Sequence, residues 1–147
     1  MKDVHITIGV LALGLSVVAF GWGAWAWWRS RPSQWFWRIL RAAQASIVLE
    51  AALGGVLLLM GKKASSLHLI YGLLPLAVSF IGEQLRISSA QMILDARGFE
   101  NAQAVGQLPR AEQQQVVIAI VRREVGVMTL AAFVMVVLLV RAATVVH

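Results

Sequence analysis

A chain of 147 residues that is 59% hydrophobic, with a mean hydropathy of +0.75, is too apolar for a water-soluble domain, whose apolar share is nearer 45–50%. The absence of cysteine excludes disulfides, iron–sulfur clusters and thiolate metal sites, and the histidines at positions 5, 68 and 147 are the whole imidazole supply. A net charge of +6 would suit nucleic acid in a soluble chain; here membrane topology accounts for it, and no nucleic-acid partner is expected.

The first apolar run, Ile6 to Trp28, carries no charge and has the length needed to cross about 30 Å of hydrocarbon. Lys2 ahead of it and Ala24-Trp25-Ala26 near its end have the outline of a signal peptide, but the run is too long for one. Trp27, Trp28, Arg29 and Arg31 then form an interfacial anchor, so the segment reads as a retained membrane helix. Pro32 and Ser33 mark a turn within the connection Arg29 to Arg41, whose four arginines alternate with Trp35 and Trp37 in the manner of a cytoplasmic interface. A second span covers 39–61, the link from Lys62 to Ser66 follows, and a third span covers 67–82. Pro75 interrupts the third span, leaving the carbonyl of Tyr71 without its helical donor and predicting a kink just below His68.

Residues 83–124 mix charges, glutamines and aliphatics without a span. Leu85, Met92, Ile93 and Leu94, then Val116, Val117, Ile120 and Val121, recur at roughly helical spacing and predict an antiparallel helical hairpin joined around Gly98 to Leu108. Pro109 suits the first turn of the returning helix, and 125–140 forms the fourth span. The expected fold is all-α: one transmembrane domain, a four-helix bundle whose third and fourth helices extend into a cytoplasmic hairpin. Of the thirteen Lys and Arg, nine (Arg29, Arg31, Arg38, Arg41, Arg86, Arg97, Arg110, Arg122 and Arg123) fall on one side in this topology. The excess makes that side cytoplasmic and both termini extracytoplasmic in a multi-pass protein of the cell membrane, with the lipid bilayer as its first partner.

Few side chains in these spans can do chemistry. Glu50 sits about halfway along the second span, where an ionised carboxylate costs at least roughly 2.5 kcal/mol, so it is either protonated or paired. Ser46, one turn earlier on the same face, and Ser79, across the bundle, are its candidate partners; as a working group Glu50 would be the proton site of a small transporter. Arg41, Glu83, Arg86, Arg122, Arg123 and Glu124 fall near the inner boundary, where an interfacial ring of ion pairs is expected. No nucleotide-binding loop, zinc-protease helix or nucleophile elbow occurs, and the chain does not read as an enzyme. His68 opens the third span with Tyr71 one turn below it, and His5 opens the first. Both imidazoles then lie at similar depth on the outer side, as two axial ligands of one haem iron between helices require.

Gln44, Leu53-Gly54, Gly61 and Leu67-His68, followed by Gly72-Leu73-Leu74-Pro75-Leu76-Ala77, resemble the helix pair in one half of the haem A synthase family and of related four-helix b-type haem membrane proteins. The resemblance spans Gln44 to Ala77 and implies a haem-ligating role for His68. Ala19-x-x-x-Gly23 and Ala51-x-x-x-Gly55 provide faces for close helix approach. The expected function is that of a non-enzymatic accessory subunit of a larger membrane assembly, respiratory or redox in kind, with other membrane subunits as partners. The alternatives are a haem b protein using His5 and His68, and a proton-coupled transporter centred on Glu50. Glu50 is placed roughly 16 Å below the outer end of its own span, so Glu50 and His68 are expected to belong to separate sites.

Overall fold

The computed structural model describes residues 2–145, all-helical in its regular structure: α1 (Lys2–Arg29), α2 (Gln34–Leu59), α3 (Ser66–Ala96), the short α4 (Ala102–Gly106) and α5 (Arg110–Thr144). Residues 146 and 147, the end of the expected outer tail, lie outside the described residues. Four of the helices, α1, α2, α3 and α5, are long and apolar enough to cross a bilayer, and the chain is a multi-pass membrane protein. Large apolar side chains such as Val10, Val17, Val48, Ile70, Phe80 and Val137 stand exposed along these helices, as a lipid solvent permits.

Helix α1 takes the central place, packed along both α2 and α5. Its buried residues are Ala12, Ser16, Ala19, Gly23 and Ala26, a stripe spaced alternately four and three apart. Small side chains at that spacing let neighbouring backbones approach closely, the means of helix association where water supplies no driving force. Larger side chains from the partners fill the seam: Phe36, Leu40, Ala43 and Ile47 from α2, and Val125, Met128, Ala132, Met135 and Leu139 from α5. Ser16 is buried but donates to the carbonyl of Ala12, so its hydroxyl is satisfied within the helix. The small-residue face Ala19–Gly23 lies in this seam, whereas Gly55, like Gly14 and Gly21, faces open space.

The helices run further than the apolar runs alone indicated. Gln34 to Arg41, expected as connection, is already the first two turns of α2, with Ser33 as its N-cap accepting from the Phe36 amide. That cap and its hydroxyl's second contact, from the Trp22 indole 2.8 Å away, fix the turn between α1 and α2. Pro75 is buried within an unbroken α3. Pro109 caps α5 from outside the helix, one residue before its first turn.

The α3–α5 pair projects past the other two helices as a hairpin, closed by a second small core of Leu94, Val105 and Val116 with Phe99, Leu108 and Ile120 around it. Gly98 adopts φ +74°, a left-handed conformation that ends α3 at little cost only for glycine. Asn101 caps α4 by accepting from the Ala104 amide, and Gln113 donates to the carbonyls of Gly106 and Leu108, which ties the loop back to α5. The bundle therefore has a terminal end, where α1 begins and α5 finishes, and a hairpin end.

A side chain at Gly23 would run into the ring of Phe36 and the hydroxyl of Thr129, both fully buried. Gly23→Ala is expected to lower stability by about 1–3 kcal/mol through overpacking, while Gly21→Ala, with nothing near it, leaves stability unchanged or slightly raised. Thermal unfolding of the two variants in one detergent measures the difference.

Candidate functional site

The inward stripe of α1 continues one turn beyond Ala12 to Gly9 and from there to His5. The same face that packs the bundle thus presents an imidazole at the terminal end. Glu50 of α2 lies directly against it. A Cβ built on Gly9 would sit 2.8 Å from Glu50 Oε1, so only glycine at this position leaves the carboxylate its place. The Nδ1 of His5 is 3.1 Å from Glu50 Oε1. The contact lacks the alignment of a hydrogen bond: Nδ1 of His5 and Oε2 of Glu50 remain buried without a hydrogen-bond partner. His68 of α3 meets His5 from the other side, with ring centroids 6.2 Å apart and planes inclined at 72°.

The placement of His68 follows from the last turn of α5. A helix leaves its final carbonyls without internal donors, and two residues at the start of α3 supply them. The Ser65 hydroxyl donates to Val145 and also caps α3 by accepting from the His68 amide. The His68 Nδ1 lies 2.9 Å from the Ala142 carbonyl oxygen. A carbonyl only accepts, so this bond requires the proton on Nδ1 and leaves the Nε2 lone pair of a neutral ring free. Arg141, stacked 5.5 Å over the Tyr71 ring, adds a further tie between α5 and α3.

Glu50, His5 and His68 therefore form one cluster, contrary to the expectation of separate sites. Depth was reckoned from the outer end of α2, and α2 overshoots its neighbours. Glu50 lies nine residues before Leu59, about 13 Å along the helix, while His5 is only three residues, about 4.5 Å, into α1. Ser46, the expected local partner of Glu50, instead donates to its own helix at Ala42, and Ser79 makes no hydrogen bond to Glu50 among the described residues. Each histidine also has a glycine four residues further along its helix, Gly9 after His5 and Gly72 after His68, and a Cβ at Gly72 would meet nothing. The repeated His-x-x-x-Gly spacing was visible in the sequence, but only the structure turns both toward the same place.

The boundary charges divide into two groups at the hairpin end. Arg41 makes a two-pronged pair with Glu83, at 2.5 and 3.1 Å, and Gln44 Nε2 and Arg86 Nε complete four hydrogen bonds onto the one carboxylate. Arg86 also covers the Trp37 ring at 5.4 Å. This cluster ties α2 to α3, a pair that otherwise packs over far less of its length than α1 with α2 or α3 with α5. Glu83 lies just past the apolar stretch 67–82. Burial pushes its carboxyl up, but the bonds from Arg41, Gln44 and Arg86 outweigh it and hold the pKa down to about 2. Arg122, Arg123 and Glu124 stand apart from this network, with no ion pair among the described residues.

Because its folded-state pKa is depressed, the contribution of Glu83 to stability is fully present above about pH 4.5 and is lost as the pH falls through about 2. Glu83→Gln is expected to unfold at lower temperature than the parent at pH 6, with the gap narrowing steadily between pH 4 and pH 2. A gap that does not change with pH would assign the loss to packing instead. Compared with protein families, with curated proteins and with solved structures, the chain matches none.

Proposed function

We propose that this chain is a small, non-enzymatic membrane subunit that holds a haem b between His5 and His68 at its terminal end. The observation that supports it best is the state of the two rings. His68 directs Nδ1 to the Ala142 carbonyl, which reserves its Nε2 for a ligand role, and His5 stands beside it with Nδ1 3.1 Å from Glu50 Oε1 but in no hydrogen bond. A carbonyl acceptor behind His68 fixes that ring and raises its donor strength, the usual support around a histidine-bound metal. The two rings, 6.2 Å apart between centroids, are the residues that would hold the haem iron. Gly72 leaves open space one turn below His68, against which a flat macrocycle can lie, whereas the space beside Gly9 is taken by the Glu50 carboxylate. The resemblance of Gln44 to Ala77 to b-type haem membrane helices points the same way.

A haem bound there supplies reversible one-electron chemistry, and a one-electron carrier needs donor and acceptor centres, which makes assembly with other membrane subunits part of this reading. The arginine excess of the hairpin end and of the connection at Arg29 to Arg41 favours a cytoplasmic hairpin end in a cell-membrane protein, with both termini outside. Electron entry and exit would then be on the extracytoplasmic side.

A second reading, a proton-coupled transport site centred on Glu50, is favoured by one observation: Oε2 of Glu50 is buried without a hydrogen-bond partner.

Protein purified in mild detergent from haem-replete cells is expected to show the sharp absorption band of six-coordinate haem b. His5→Ala and His68→Ala each remove it, while Glu50→Gln keeps it with a shifted midpoint potential. A colourless, folded preparation that takes up no added haem would overturn the proposal. In that event proton flux into proteoliposomes, compared between the parent and Glu50→Gln, decides the second reading.

A further inference from the structure

Three of the arginines that form no ion pair among the described residues share one groove: Arg97 near the end of α3, and Arg122 and Arg123 on α5. They line a groove of about 530 Å³ together with Trp27, Ile93 and Ile118. No aspartate or glutamate lines it, and among the described residues none of the three guanidiniums has an ion-pair partner. Arg123 donates a hydrogen bond to the Met92 sulfur, at 3.5 Å, which neutralises nothing. Glu112 sits along the adjoining groove beyond Arg97 without pairing with it. Of the carboxylates at this end, Glu83 is engaged by Arg41 and Arg86 and Asp95 by Gln91, while Glu100, Glu112 and Glu124 form no ion pair among the described residues and none of them lines the groove.

The groove's position narrows what would neutralise it. One wall is the Trp27 ring, packed at 3.0 Å against the site of a Cβ on Gly126, at the last apolar turn of α1. Arg122 and Arg123 lie one turn of α5 beyond Gly126, and Arg97 further along the hairpin. Apolar surface from Trp27, Ile93 and the half-exposed Ile118 thus meets guanidinium groups where the membrane's apolar layer gives way to headgroups. A soluble anion would use only the arginines; an amphiphile with phosphate above and an apolar body below uses both surfaces. We propose that this groove binds the headgroup of an anionic phospholipid, with Arg122 and Arg123 on phosphate at the interface and Arg97 on a second negative charge above it. The site is at the opposite end from the His5–Glu50–His68 cluster and stands whether or not that cluster holds haem.

The test is thermal unfolding of the full chain in detergent, titrated with tetraoleoyl cardiolipin, with phosphatidylcholine, or with inorganic pyrophosphate. Cardiolipin is expected to raise the midpoint saturably, and the other two to leave it within error. The triple variant Arg97→Gln, Arg122→Gln, Arg123→Gln should need about a hundredfold more cardiolipin for the same shift. Lys2→Gln, Lys62→Gln, Lys63→Gln, which removes equal charge from exposed residues at the terminal end, should titrate like the parent. The three arginines are exposed and unpaired, so the first triple retains its fold, which circular dichroism before lipid addition verifies. Equal weakening in both triples would reduce the effect to net charge and overturn the site. An equal shift with pyrophosphate would overturn the lipid as its ligand, and no shift with cardiolipin would overturn both.

Discussion

The close approach of α1 to its neighbours is the constraint on which the other features depend. In lipid, apolar side chains gain nothing by leaving their solvent, so association rests on contact between backbones and on the few polar groups that must find partners. Alanine, serine and glycine from Ala12 to Ala26 make α1 thin on one face, and Phe36, Met128 and Met135 occupy the space this leaves. Once that seam is set, the face of α1 is set over its whole length. His5 and Gly9, on the continuation of the stripe, have no other direction in which to point.

The polar contacts then lock what the seam aligns. At the hairpin end, Glu83 accepts from Arg41, Gln44 and Arg86 and joins α2 to α3, which share little apolar packing. At the terminal end, the last carbonyls of α5 are closed by Ser65 and His68 rather than by water. His68 is therefore both a cap for α5 and one face of the cluster with His5. The two ends differ in what they leave over. One leaves imidazole nitrogens and a carboxylate oxygen, and the other leaves three arginines beside a tryptophan.

Apolar runs mark where lipid is, and helices do not stop where lipid does. Gln34 to Arg41 looked like a connection because it is basic and aromatic, yet it is helical, capped by Ser33 and buried at Phe36 and Leu40. Glu50 looked remote from His68 because its depth was counted along α2 alone. The relative height of two helices depends on how their side chains interlock, and a hydropathy pattern holds no record of that.

The sequence by itself determined that this is an all-helical membrane protein with four long apolar helices, and that the third and last of them extend past their apolar runs. Length, charge and apolar content suffice for these, since each follows from the cost of exposing polar groups to hydrocarbon. It also offered His5, Glu50 and His68 as the few ionisable groups worth watching. Only the tertiary structure decided that they meet, because their contact rests on the overshoot of α2 and on glycine at position 9, a packing outcome between helices rather than a property of any one of them. The same holds for Arg97 and the adjacent pair Arg122 and Arg123, which lie on different helices and share a groove only because α3 and α5 run antiparallel beside Trp27.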